Sequence, residues 1–254
     1  MTTLPKPAQD WAIFLDVDGT LIHIAEHPDS VQPSDRLGEI LEQAAEAVDG
    51  ALALISGRSI AVIDALTEHA APAAAGLHGL EIRTAEGEYR SAEQNIPALQ
   101  DAREQLESLT ASHSDLFIED KKATLALHYR GASEAATTAA QRTVESIVAA
   151  SGGELSRLDG KSVYEIKPAH GDKGHALHEL LATPSFSGRR PVYVGDDVTD
   201  EAAFRTANEL GGVSIRVGAD GASEARYRLN TVDEVLEWLE ATARTLGREI
   251  EPRT

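Results

Sequence analysis

The sequence contains no cysteine, and this absence excludes several kinds of site at once. Without thiols the chain has no disulfide framework, no thiolate zinc site and no cysteine nucleophile. Aromatic residues make up only 4% of the chain and hydrophobic residues 42%, so the core must consist mainly of aliphatic side chains. This composition is typical of a folded globular protein and not of a disordered acidic chain.

Basic residues are also few, and long hydrophobic runs are absent from the sequence. With 23 Lys and Arg against 42 Asp and Glu, the net charge of the 254-residue chain is −19, which argues against binding to nucleic acid or to an anionic membrane. No run of about 18 apolar residues occurs, and the first residues lack a signal-peptide pattern. We therefore expect a cytoplasmic protein that binds a small molecule and needs no obligate protein partner.

Short apolar segments alternate with helical patterns at both ends of the chain. Segments such as WAIFLD (11–16) and PVYVG (191–195) are typical of buried parallel strands. Between them lie amphipathic patterns such as the one from Leu37 to Val48, whose apolar positions follow a 3.6-residue rhythm. This alternation predicts an α/β fold with a doubly wound, Rossmann-like parallel sheet.

The middle of the chain has a different order of predicted elements. Helical patterns at 98–110 and at about 133–150 each precede two alternating strand patterns. Such an α-β-β-α-β-β order suits an open antiparallel sheet with one covered face. We therefore predict a core formed by residues 1–96 and 168–254, with an inserted α+β cap domain at 97–167.

Two carboxylates follow the first predicted strand, in the run Asp16-Val17-Asp18-Gly19-Thr20. Asp16 could attack phosphorus to form an aspartyl phosphate, and Asp18 could protonate the leaving oxygen and later take a proton from water. Because Asp-X-Asp alone is common in acidic turns, the interpretation depends on the full motif and on its position at a strand end.

Two further segments of the core suit a phosphate ligand. Ser56, Gly57 and Arg58 directly follow the predicted strand ALALI, where a hydroxyl and a close backbone could bind phosphate, although a Ser that begins a helix is the commoner cause of this pattern. Lys173 is predicted in the first turn of a helix, where the helix dipole disfavours a cation. Unless it is simply an exposed lysine, it needs a nearby anion, either a bound phosphate or Asp16.

The run GDDVTD (195–200) brings three carboxylates to the end of another predicted strand. Because Asp196, Asp197 and Asp200 would repel one another, their coexistence indicates a cation, and Mg²⁺ is the one that prefers carboxylate oxygens and also bridges to phosphate. In the same run, Thr199 is predicted to cap the following helix.

These four segments, in this order, resemble the haloacid dehalogenase (HAD) superfamily of phosphohydrolases. The resemblance implies that Asp16 is the nucleophile and Asp18 the general acid and base. It also implies that Ser56 binds phosphate and that Lys173 balances charge.

The same resemblance implies a magnesium site. Its ligands would be Asp16, the backbone carbonyl of Asp18, and Asp196. Asp197 and Asp200 would then support the site through water or through a neighbouring ligand, and the sequence does not rank these two residues.

Charged pairs in the predicted cap indicate where a sugar could bind. Glu119 and Lys121 are two residues apart, and Lys161 and Glu165 are four apart, so each pair shares one face of a strand. Rigidly held donors and acceptors suit a polyhydroxylated sugar, whereas spacing alone favours cross-strand salt bridges on a solvated face.

A narrower resemblance extends over nearly the whole chain. The strings LDVDGTL, GALALISGRS, GLHGLEIR, ALHYR, GKSVYEIKP and GDDVTDEAAF resemble the trehalose-phosphate phosphatase family, in its stand-alone bacterial form. This resemblance implies hydrolysis of trehalose 6-phosphate, with Glu119, Lys121, Lys161 and Glu165 on the glucose unit away from the phosphate. We expect the core to contribute substrate contacts from Asp16, Val17, Asp18, Ser56, Gly57, Arg58 and His78.

Other functions remain open. The motifs also fit a phosphatase or phosphomutase of the same superfamily that acts on another sugar phosphate. A non-enzymatic sugar-phosphate sensor would normally lack Asp16 or Asp18, and both are present.

Several histidines have more than one interpretation. His78 could contact the sugar or be a buried, hydrogen-bonded histidine. His23 and His27 have the spacing of a transition-metal pair, but without further ligands we expect a flexible loop. His128, with Arg130, could contact the sugar or the other lobe.

Overall fold

The fold is described from a computed structural model, for residues 3–23, 36–91, 97–121, 123–169, 171–218 and 221–247. These residues form two compact units, a core unit from 1–90 and 172–254 and an inserted unit from 91–171. Their elements run along the chain as β1 (Trp11–Leu15), α1 (Leu37–Ala47), β2 (Leu52–Ile55), α2 (Ile60–Thr67), β3 (Ala73–Gly76), β4 (Glu81–Arg83), β5 (Tyr89–Ser91), α3 (Pro97–Ser112), β6 (Phe117–Asp120), β7 (Leu125–His128), α4 (Glu134–Ala150), β8 (Leu155–Gly160), β9 (Val163–Pro168), α5 (Lys173–Leu181), β10 (Arg190–Gly195), α6 (Glu201–Glu209), β11 (Val213–Val217), β12 (Tyr227–Leu229) and α7 (Val232–Gly247).

The central sheet of the core unit has the strand order β12-β11-β10-β1-β2-β3-β4-β5. The strand β1 is parallel to both of its neighbours, β10 and β2. From β1 the chain moves outward through β2 and β3 on one side, and later through β10, β11 and β12 on the other. This confirms the predicted doubly wound sheet, and β1 lies at its switch point, where open α/β sheets bind ligands.

The central strands consist of apolar residues because helices pack over them and bury them. Every residue of β1 and of β2 is buried. The helix α1 packs on α7, and α5 packs on α6. The predicted apolar stripe of α1 is confirmed, since Leu37, Ile40 and Leu41 are buried in the core cluster.

The turn after β10 differs from the sequence prediction. Thr199 was expected to cap the helix, which is wrong: it lies inside a short 3-10 turn (Val198–Asp200), and α6 begins only at Glu201. Asp197 caps this turn instead, with its Oδ1 accepting the Val198 N–H at 2.6 Å. A carboxylate accepts a backbone N–H more strongly than a hydroxyl does, which explains why the carboxylates take this role.

The inserted unit contains an antiparallel sheet in the order β6-β7-β9-β8. The helices α3 and α4 cover one face, and their apolar side chains join those of β7 and β9 in a separate hydrophobic cluster. This confirms the predicted α+β insert. In neither unit does the described chain contain a helix of the length and apolarity needed to span a bilayer.

Candidate active site

Three chemically important side chains follow three neighbouring parallel strands. Asp16 follows β1, Ser56 follows β2 and Asp196 follows β10. The backbone joins two of these strand ends directly, because the Asp16 N–H donates to the Val194 carbonyl at 2.9 Å. Asp16 and Ser56 are almost fully buried, at 3% and 1% exposure, so the sheet positions them in a protected place.

Lys173 connects the residues of this site. It is the first residue of α5, and Asp172 caps that helix by accepting the His175 N–H at 2.8 Å. The Lys173 Nζ lies 2.6 Å from Asp16 Oδ1 and 2.7 Å from Asp200 Oδ1. The anion that the sequence required near this lysine is therefore Asp16, one of the two predicted alternatives, together with Asp200.

Asp200 is buried and holds four hydrogen-bond donors. Its Oδ1 accepts from the Lys173 ammonium at 2.7 Å and from the Tyr193 hydroxyl at 2.6 Å. Its Oδ2 accepts the backbone N–H groups of Asp196 and Asp197 at 3.0 and 2.9 Å. Both oxygens are thus engaged by the protein, whereas the side chain of Asp197 points to an exposed position and only caps its own turn.

Burial and charge shift the pKa values of this cluster. Burial raises the pKa of Asp16 well above its ordinary value, although the Lys173 charge opposes this shift. Burial and the Asp200 charge raise the pKa of Asp196 to about 6. Burial alone would lower the pKa of Lys173, but the Asp16 and Asp200 carboxylates raise it above its usual range. The lysine therefore stays protonated, and its single positive charge does not fully balance the carboxylates around it.

The carboxylate cluster fits a divalent cation. Asp16, Asp196 and Asp200 each offer an oxygen within 4.8 Å of the others. Asp196 Oδ1 is buried and has no hydrogen-bond partner among the described residues. Gly19, at φ +82°, lets the backbone after Asp18 lie close to the Asp196 carboxylate, since a Cβ there would lie 2.1 Å from Asp196 Oδ2. Because the oxygens of Asp200 already hold four donors, Asp16 and Asp196 are the better ligands.

Asp18 and Arg58 form a two-point ion pair. The Arg58 Nε and Nη2 each lie 2.7 Å from one oxygen of the Asp18 carboxylate. Such a fork fixes the plane of the carboxylate as well as its position. Arg58 in turn is held near the strand end, because its backbone N–H donates to the Ser56 hydroxyl at 3.1 Å. The arginine expected to touch substrate is thus placed to orient Asp18.

Two other expected contact residues are largely enclosed. The Val17 side chain is fully buried in the core cluster, so only its backbone could face a phosphate. His78 is buried and has a left-handed backbone, at φ 57° and ψ 31°. Its backbone N–H donates to the Ser56 carbonyl at 3.0 Å. Its ring lies so close to Gly57 that a Cβ on Gly57 would be 2.8 Å from the His78 Cε1. His78 therefore supports the Ser56 loop.

In the inserted unit, the face of the sheet that α3 and α4 do not cover carries charged residues. The backbone register aligns Glu119 with Ala126 and Ala126 with Glu165, so both glutamates share this face. The Lys121 Nζ lies 3.5 Å from Glu165, whose Oε1 also accepts the Thr124 hydroxyl at 2.7 Å.

Two other residues of the inserted unit were candidates for a sugar contact. His128 Nε2 lies 3.1 Å from Glu119 Oε2. Lys161 lies in the turn between β8 and β9, so the argument that it shares a strand face with Glu165 does not apply. Of the remaining histidines, His23 lies 3.8 Å from Asp233 in the core unit, and His27 falls outside the described residues.

Sequence reasoning missed two hydroxyls of the site. The Thr20 hydroxyl donates to Asp16 Oδ2 at 3.3 Å, and the buried Tyr193 hydroxyl donates to Asp200. A tyrosine inside an apolar strand pattern was the available signal, because a buried phenol normally finds a hydrogen-bond partner.

We expect Lys173→Met to destabilise the fold strongly. The change leaves the Asp16 and Asp200 carboxylates buried without their shared cation, which typically costs about 3–5 kcal/mol of unfolding free energy. Urea denaturation measures it, with the exposed Lys6→Met as the matched control. Equal unfolding free energies for the two variants would contradict the assigned role.

The chain is similar to several known proteins. The family model described as trehalose-phosphatase matches residues 14–233. A probable trehalose-phosphate phosphatase of Sinorhizobium fredii (strain NBRC 101917 / NGR234) is 41% identical over 226 residues, which cover 89% of this chain and 84% of that protein. The trehalose-6-phosphate phosphatase of Escherichia coli (strain K12) is 38% identical over 254 residues, which cover 99% of this chain and 93% of that protein. Among solved structures, the C-terminal domain of C. albicans trehalose-6-phosphate phosphatase has the same fold, with a TM-score of 0.78 at 23% identity over 93% of each chain.

Proposed function

The chain belongs to the trehalose-phosphatase family, and from this premise we propose that it hydrolyses trehalose 6-phosphate to trehalose and phosphate. It is a phosphoric monoester hydrolase of the HAD fold. The observation that carries the proposal is the position of Asp16, buried at the switch point of the sheet with its carboxylate 2.6 Å from Lys173. A buried carboxylate beside a fixed cation suits nucleophilic attack on a phosphate ester.

We propose Mg²⁺ as the cation of this site. Asp16 and Asp196 would hold it, with the backbone carbonyl of Asp18 as a further expected ligand. When bound, it would supply positive charge to the oxygens of the phosphoryl group. The −19 charge of the chain repels an anionic substrate at long range, so local cations have to attract it.

In the first step, the Asp16 carboxylate attacks phosphorus and a P–O bond to Asp16 forms. The bond from phosphorus to the sugar 6-oxygen breaks, and the electron pair leaves with that oxygen, which takes a proton from Asp18. The Lys173 ammonium has three N–H donors, of which two are bound to Asp16 and Asp200. The third can donate to a phosphoryl oxygen.

In the second step, water attacks the phosphorus of the aspartyl phosphate. Asp18 takes the proton of this water, the P–O bond to Asp16 breaks, and phosphate leaves with the carboxylate restored. The Arg58 fork at 2.7 Å supports this second step, because it keeps the Asp18 carboxylate in one orientation while that carboxylate accepts the proton. Ser56 and the backbone around Gly57 would bind the remaining phosphate oxygens.

Phosphate release from a panel of sugar phosphates tests the proposed function. The panel contains trehalose 6-phosphate, glucose 6-phosphate and sucrose 6-phosphate, each assayed with and without Mg²⁺, with the sugar products identified. We expect rapid release of phosphate and trehalose from the first compound only. Equal rates on all three would exclude the proposed specificity, and an isomeric sugar phosphate as product would indicate a phosphomutase.

We expect Glu119→Ala to impair the disaccharide reaction selectively. The proposal assigns Glu119, Lys121, Lys161 and Glu165 to the sugar, and losing one charged hydrogen bond costs about ten-fold or more in kcat/KM. Activity on a small generic phosphate ester should stay unchanged. Glu107→Ala, an exposed glutamate on α3, is the control. Parallel losses of Glu119→Ala on both substrates would count against a sugar contact.

A further inference from the structure

Tyr193 is a buried polar residue that the proposed chemistry does not use. It lies in β10 with no exposed surface, two residues before the end of that strand. Its ring packs edge-on against Phe204, with centroids 5.6 Å apart. Its hydroxyl lies 2.6 Å from Asp200 Oδ1, so the phenol is fixed by packing at one end and by a hydrogen bond at the other.

The acceptor of this hydrogen bond is the oxygen that also binds Lys173. Asp200 Oδ1 lies 2.7 Å from the Lys173 Nζ, which itself lies 2.6 Å from Asp16 Oδ1. A carboxylate oxygen has about two favourable acceptor directions, and Tyr193 occupies one of them. Lys173 is thereby confined to the other acceptor direction of this oxygen, and from that position its ammonium reaches Asp16.

The second oxygen of Asp200 extends this arrangement to the proposed cation ligand. Asp200 Oδ2 accepts the N–H of Asp196 at 3.0 Å and that of Asp197 at 2.9 Å. A rotation of the Asp200 carboxylate would therefore disturb both Lys173 and the turn that carries Asp196. Tyr193, on a rigid central strand, is the donor best placed to prevent that rotation.

We propose that Tyr193 is a positioning residue for phosphoryl transfer, acting through Asp200 to hold Lys173 against Asp16. The inference rests on the proposed function of this site. Because the tyrosine has no exposed surface, it cannot touch the substrate. Its removal should therefore change kcat and leave substrate binding intact.

Tyr193→Phe tests the inference, since it removes one hydroxyl and keeps the packing. We expect kcat for trehalose 6-phosphate and for a small generic phosphate ester to fall about ten-fold, with KM unchanged within about two-fold. Tyr227→Phe, on β12 of the same sheet, is the control and should keep wild-type kcat. An unchanged kcat, or a loss carried by KM, would overturn the inference.

A second measurement needs neither metal nor substrate. In urea denaturation of the chelated protein, Tyr193→Phe should shift the unfolding midpoint at least about two-fold more in a Lys173→Met background than in wild type, because Asp200 Oδ1 then loses its last side-chain donor. Additive shifts would overturn the inference, and if Lys173→Met does not fold, the kinetic test of Tyr193→Phe decides alone. A wild-type protein that cleaves only the generic ester would refute the proposed substrate while leaving both tests of Tyr193 valid.

Discussion

Asp16→Asn should reduce phosphate release from trehalose 6-phosphate by at least about 10⁴-fold. An amide is a very poor nucleophile, so the covalent step has no substitute within the site. The fold should survive, because Lys173 keeps its 2.7 Å contact with Asp200 when one carboxylate of the cluster becomes neutral. Steady-state phosphate release measures the loss, and mass spectrometry of acid-quenched protein should find a phosphoryl group on the Asp16 peptide of the wild type only.

Asp49→Asn is the matched control for this variant. Asp49 is an exposed residue of the core unit with φ 53°, a conformation that Asn adopts readily, so the same chemical change occurs without backbone strain. It should retain full activity. Substantial activity in Asp16→Asn would rule out the aspartyl phosphate, even if trehalose 6-phosphate proved to be the substrate.

The sequence predicted most of the site because its residues sit where strands end. Asp16, Ser56 and Asp196 each follow an apolar run, and parallel strands bring their carboxyl ends to one edge of a sheet. The requirement of Lys173 for an anion followed from its place in the first turn of a helix. These inferences need only local patterns and a topology.

Contacts that depend on loop geometry could not be predicted in this way. The sequence left Asp197 and Asp200 unranked, because their roles depend on the 3-10 turn that buries one and exposes the other. The same turn contains Thr199, which is why the prediction that Thr199 caps the following helix was wrong. The pairing of Tyr193 with Asp200 also required this turn, which brings back to the strand a carboxylate that lies seven residues further along the chain.

The inserted unit shows the same limit. The backbone register places Glu119 and Glu165 on one face of the sheet, whereas Lys121 follows the end of β6 and reaches this face through its 3.5 Å contact with Glu165. The spacing of Lys161 from Glu165 was uninformative, since Lys161 lies in a turn and not on the strand that carries Glu165. The left-handed backbone of His78 was equally invisible, because a non-glycine residue adopts it only where the surrounding structure requires it.

Removal of divalent metal should lower phosphate release by at least about 10³-fold, because the cation contributes several kcal/mol of charge stabilisation. The structure supplies the reason. Burial and the neighbouring Asp200 charge raise the pKa of Asp196 to about 6, which indicates that its ionised form is costly without added positive charge. Chelation followed by titration with Mg²⁺ measures the effect, and Mg²⁺ should also raise the unfolding temperature of the chelated protein.

Two neighbouring aspartates provide a matched pair for this experiment. Asp196→Asn should raise the Mg²⁺ concentration needed for half-maximal activity at least about ten-fold and abolish the Mg²⁺-induced rise in unfolding temperature. Asp197→Asn should leave both close to wild type, since Asp197 is exposed and Asn caps a turn as well as Asp does. Equal effects of the two substitutions would place the cation away from Asp196, and undiminished turnover by the chelated protein would remove it from the reaction altogether.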